Sequence, residues 1–149
     1  MRPLLVGEAN PYGGDPYYAL YPDPPNCAGD RLCRKVMGLD PDDYLERFDR
    51  VNLCPRRWSA REARERADAM RIERKGGTLV LLGARVTRAF GMFFAPFLVE
   101  RRGPVWPADG ASTAYVVLPH PSGLSRAWNA PGAYDRARAV LREVGVLPA

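Results

Sequence analysis

Histidine occurs once in 149 residues, as His120, so any imidazole chemistry has a single source. Cysteine is nearly as scarce. Cys27, Cys33 and Cys54 are odd in number and lack metal-ligand spacing, which fits reduced thiols better than a disulfide framework. No run of about 18 apolar residues is present, so no membrane-spanning helix is predicted. The N-terminal residues enter an apolar stretch without the h-region of a secretory signal, and a cytoplasmic protein with no membrane partner is expected. No Lys-Ser or Lys-Thr follows Gly13 and Gly14, which excludes a nucleotide-cradling P-loop. Internal repeats and low-complexity tracts are absent as well.

What remains is an ordinary globular composition, 46% hydrophobic and 26% charged, in a chain of a length that suits one domain spanning residues 1–149. The formal net charge of +5 favours a polyanionic partner without identifying it.

Apolar runs alternate with helical patterns along the chain. Leu4-Leu5-Val6 reads as a buried strand, followed by residues 48–53, by the continuously apolar Thr78-Leu79-Val80-Leu81-Leu82, and by Tyr115-Val116-Val117-Leu118. Between them, helices are predicted over residues 28–37, 41–47, 59–75 and 83–90, with a last one starting at residues 129–131. Leu32, Val36 and Cys33 should face inward in the first, and Ala63, Ala67 and Met70 in the third. Ser59 and Glu62 have the spacing of a capping box. Residues 92–99 are apolar and read equally as loop or short strand. Such alternation predicts an α/β fold, three layers deep, around a central, mainly parallel four-stranded sheet. Ligand loops in such folds lie at the carboxyl ends of the strands, here residues 7–25, 52–57 and 120–128. The first is long, carries five prolines, and interleaves Tyr12, Tyr17, Tyr18 and Tyr21. Loops of that length are usually functional.

The segment from Leu118 to Arg126 holds His120 between two prolines, which set it on a stiff extended loop, and places the apolar Leu124 at the tip of a turn. Taken alone, the segment reads more simply as Leu124 tucked back into the core and His120 capping a strand end. His-Pro-Ser-x-Leu-Ser, however, resembles the closing motif of the uracil-DNA glycosylase superfamily. Gly7-Glu8-Ala9-Asn10-Pro11 is similar to its opening motif, Ala28-Gly29-Asp30-Arg31-Leu32 to its A-G-x-x-L helix start, and Leu81-Leu82-Gly83-Ala84 to its A-L-G-A strand end. The matches come in the family's order and span nearly the whole chain. Of the cysteines of the iron-sulfur branch only Cys54 has a counterpart, so no cluster is expected. Pro24-Pro25-Asn26-Cys27 stands where the family has a stacking aromatic.

The resemblance implies a monofunctional DNA glycosylase, without metal or organic cofactor, that acts as a monomer on DNA. His120 would donate to the departing base, and Asn10 would orient the attacking water, with Glu8 as the rival water activator or else the partner of an arginine. Tyr12, Tyr17, Asn26 and Asn52 would contact the base. Leu124 would fill the gap left by the extruded nucleotide, and Ser122, Ser125, Arg126, Arg56 and Arg57 would hold phosphates. The altered stacking position and the tyrosine-rich loop point to a wide pocket, suited to a bulky modified cytosine such as glucosylated 5-hydroxymethylcytosine of phage DNA. Uracil is the alternative, the more so if Tyr12 lies at the C5 edge. Two other readings use the same residues: a non-catalytic DNA-binding protein on this scaffold, and a thiol hydrolase pairing His120 with Cys27 or Cys54.

Overall fold

The computed structural model describes residues 1–10, 13–102 and 112–149. Its strands are β1 (Leu4–Ala9), β2 (Asp49–Cys54), β3 (Thr78–Leu82), β4 (Val99–Arg102) and β5 (Thr113–Leu118), in the sheet order β2-β1-β3-β5-β4. The first four neighbours run parallel, whereas β4 pairs antiparallel with β5, Val99 opposite Val116 and Arg102 opposite Thr113. The sheet is therefore mixed and five-stranded, one strand more than the sequence reading allowed. The extra strand is a charged edge. Glu100, Arg101 and Arg102 give it no apolar signature, and charge on an edge discourages pairing with another chain.

Side chains alternate across a strand, so each apolar run feeds two cores. Leu5, Val80, Leu82, Val116 and Leu118 face one side, packed with Leu32, Cys33, Val36, Tyr44 and Leu141. Leu4, Val6, Leu79, Leu81 and Val117 face the other, against Ala63, Ala67, Met70 and Val86. Helices thus cover both faces: α2 (Pro41–Arg47) and α5 (Ala133–Glu143) with the first core, α3 (Ala60–Glu73) and α4 (Ala84–Ala89) with the second. The small inward residues of α3 bring its backbone close to the sheet. Among the described residues, no helix is long and apolar enough to cross a membrane.

Three local details differ from expectation for identifiable reasons. The helix at residues 28–37 is a short α turn, α1 (Ala28–Asp30), that continues as a π-helical turn over Arg31–Val36, where Met37 N–H reaches back to Leu32 at 2.9 Å. The capping box at Ser59 is half made. Its Oγ accepts from Glu62 N–H at 3.3 Å, but its own N–H donates to Cys54 Sγ at 3.4 Å, the bond that Glu62 would have made. The last helix starts at Ala133, because a 3₁₀ turn at Arg126–Asn129 and a left-handed Gly132 precede it. That turn buries Trp128, which stacks on Tyr134 at 5.2 Å.

Candidate active site

The carboxyl ends of the parallel strands share one edge of the sheet, and a cavity of about 780 Å³ opens there. The end of β1 supplies Glu8 and the chain leaving it Asn10, β2 supplies Asn52, and the chain leaving β5 supplies His120 and Ser122. The segment entering α1 closes the cavity with Asn26 and Cys27. All seven are candidates named from the sequence, and they meet at one place although they span over a hundred positions of the chain.

Glycines let the walls approach. Gly7 pairs with Asn52 in the β1–β2 register, and a Cβ at Gly7 would overlap Asn52 Oδ1. At Gly29 a Cβ would overlap the backbone carbonyls of Leu20 and Tyr21, so α1 can sit against the tyrosine-bearing loop only with glycine at that position. Gly83 follows β3 with φ +96°, a conformation L side chains rarely adopt, and a Cβ there would lie 3.2 Å from His120 Cβ and 3.5 Å from Glu8 Oε1.

His120 is held by its backbone and tuned through its ring. Its carbonyl accepts from Trp128 Nε1–H at 2.9 Å, and the next carbonyl, Pro121, accepts from Arg31 Nε–H at 3.0 Å. Its Nδ1 accepts from Ser122 N–H at 3.1 Å, which leaves the ring proton of the neutral imidazole on Nε2. Burial pushes its pKa below the ordinary value, and the nearby Glu8 carboxylate, which acts in the opposite sense, does not cancel this. Protonating Nδ1 would also set it against the Ser122 amide. His120 is thus a neutral donor at neutral pH.

A stability dependence follows with a definite sign. The folded pKa lies below the unfolded value near 6.5, so the contribution of His120 is present above about pH 6.5 and lost as pH falls through the depressed folded value. Urea melts compared between about pH 7.5 and about pH 5 should show the native protein losing more stability than His120→Gln. Equal losses in the two proteins would contradict this account of the ring.

Asn10 is only 6% exposed, and its Nδ2 donates towards the Asp15 carbonyl at 3.5 Å, tying the amide to the loop after β1. A second cavity of about 70 Å³ shares Asn10 and Asn52 as walls, with room for about two waters. Glu8 lies 3.8 Å from Arg85, an arginine pairing alongside its place in the cavity wall.

The remaining predicted residues are placed differently. Tyr17, expected to contact the base, is not among the residues that line the cavity: the 3₁₀ turn Pro16–Tyr18 leaves it 56% exposed, and Tyr18 and Tyr21 line the wall. Tyr12 lies outside the described residues. Leu124 is 92% exposed on the same loop as His120, so it does not tuck into the core. Ser125 N–H closes that turn on the Ser122 carbonyl at 3.2 Å, and Arg126 is exposed next to it. Arg56 and Arg57 are exposed just beyond β2.

Neither thiol pairs with His120. Cys27 Sγ donates to the Tyr21 carbonyl and accepts from Asp30 N–H, and Cys54 is bonded to the Ser59 backbone. Among the described residues, no group of three or more His, Cys, Asp or Glu side chains is arranged to hold a metal ion. Arg31, Trp128 and Gly83 support the site but were not singled out from the sequence for that role. Arg31 and Gly83 fall inside recognised motifs, which was the available signal, whereas Trp128 carried none.

No model of a known protein family matches the chain, and neither does any curated protein.

Proposed function

We propose that this protein is a monofunctional DNA glycosylase of the uracil-DNA glycosylase kind, which extrudes a base into the cavity and hydrolyses its N-glycosidic bond. The observation that carries this reading is the meeting of a neutral His120, its proton on Nε2, with Asn10 in one cavity, the exposed Leu124 following the lining residue Gly123 in the chain. The proposal extends to the family's layering, built here on a mixed sheet with helices on both faces.

In the reaction the C1′–N bond breaks and the base leaves with the bonding pair. His120 Nε2–H donates to a base carbonyl and stabilises that developing charge, which a preorganised donor does best where water is excluded. Asn10 orients the water whose oxygen bonds to C1′, and the proton that water loses ends on the departing base. Asn52 and Asn26 offer amide groups to the base edge. Among the described residues no lysine lines the cavity, so its wall supplies no amine for Schiff-base chemistry and strand cleavage.

The proposed substrate rests on size. About 780 Å³ falls within the range of roughly 300–1,000 Å³ that takes drug-sized ligands, well beyond a bare pyrimidine ring. Tyr18, Tyr21, Asp23 and Asn26 spread hydroxyl, carboxylate and amide groups along the wall. This favours a hypermodified cytosine such as glucosylated 5-hydroxymethylcytosine, whose excision from invading phage DNA would be an antiviral defence. Uracil is the runner-up, with repair of deaminated DNA as the corresponding role. The test compares release of free base from matched DNAs carrying either one. Faster release of the glucosylated base is expected, and efficient release of uracil alone would overturn the substrate assignment.

A further inference from the structure

We infer that Tyr17 and Tyr18 form a stacking site for one unpaired nucleobase beside the nucleotide held in the cavity; this rests on DNA being the ligand. Tyr17 is 56% and Tyr18 48% exposed, so two large rings stand in solvent at the mouth of the site. They are not loose. Their centroids are 5.1 Å apart edge to face, and Tyr21 lies 5.5 Å and 5.3 Å from the two. Arg50 sits 5.6 Å from the Tyr17 and Tyr21 rings while its Nη1 donates to the Ala19 carbonyl at 2.9 Å. From the core, the buried Tyr44 hydroxyl donates to the Leu20 carbonyl at 2.8 Å, and Asp15 Oδ1 accepts from Tyr17 N–H at 3.0 Å.

Residues 15–21 are thus held in place before any ligand arrives, which lowers the entropy cost of binding. Such anchoring serves a surface that must keep its shape. The other exposed large apolar side chains among the described residues, such as Ile72 and Phe93, have no comparable arrangement of packed rings. Two features select a nucleobase as the occupant. Tyr18 belongs to both the exposed cluster and the cavity wall, so the surface continues the site. Aromatic rings with a guanidinium packed against them also match the mixture of stacking and positive charge by which single strands are bound. Bases inside a duplex are already stacked on each other, so only an unpaired one can reach these rings.

Fluorescence anisotropy on the 149-residue chain tests this, with single-stranded oligothymidylate and a strand of equal length made of abasic sites. Tyr17→Ala should weaken oligothymidylate binding by about ten-fold and leave the abasic strand unchanged, while Tyr17→Phe keeps the affinity. The unchanged abasic affinity also reports that the variant is folded. Equal losses on both strands, or no loss on oligothymidylate, would overturn the stacking site. Base release is scored separately on modified DNAs. Its absence beside the expected binding pattern would remove the glycosylase reading and keep the stacking site, and its presence without that pattern would do the reverse.

Discussion

Replacing His120 by alanine is expected to lower base release by about 10²- to 10³-fold, the effect of removing one preorganised donor from a developing anion. The size rests on the ring being neutral. An imidazole with Nδ1 occupied by the Ser122 amide and its pKa lowered by burial presents one donor, Nε2–H. Folding should survive, because the loop is anchored through the His120 and Pro121 carbonyls, which alanine retains. Asn10→Ala should reduce release to a similar degree, since the water loses its orienting group, with DNA affinity close to native in both variants. Single-turnover assays at saturating protein separate the chemical step from binding. Excision at native rates by both variants would remove these residues from the mechanism.

Leu124→Ala is expected to behave differently, with a loss of about ten-fold or more on paired duplex and little change on single strands. Extruding a nucleotide costs a few kcal/mol of stacking and pairing, and an apolar side chain in the gap offsets part of it. Leu124 is 92% exposed, so alanine leaves no cavity and the change carries no folding penalty to confuse the result. The comparison needs the same base in both contexts. Equal losses on duplex and single strand would show that Leu124 is not a wedge.

Much of this molecule was legible in the sequence because its parallel strands are continuous apolar runs. Thr78–Leu82 and Thr113–Leu118 can be buried on both faces only in a sheet covered on both sides, and that decided the architecture. Strand β4 was hidden by its charges, which mark an edge and give no periodic signal. The π-helical turn at Arg31–Val36 was hidden for another reason: over six residues its inward positions, Leu32, Cys33 and Val36, also fit an ordinary helix. At the site, the strand ends fixed where Glu8, Asn10, Asn52 and His120 would meet. The choice among the tyrosines was not readable. It depends on a 3₁₀ turn and on Arg50 and Tyr44 reaching in from distant elements, which spacing within the loop does not encode. Likewise the reciprocal bond of the Ser59 cap went to a cysteine sulfur from the end of β2, a tertiary contact that a local motif cannot show.

The central claim is that the cavity breaks a glycosidic bond rather than only holding DNA. The most direct measurement is mass spectrometry of free base, with parallel counting of abasic sites, after single turnovers on DNA carrying glucosylated 5-hydroxymethylcytosine or uracil. Free base and abasic sites should appear in equal amounts with the native protein, the strand staying intact until alkali is added, and both should be nearly absent with Asn10→Ala. DNA that is bound tightly yet keeps every base would contradict the account and leave a binding protein.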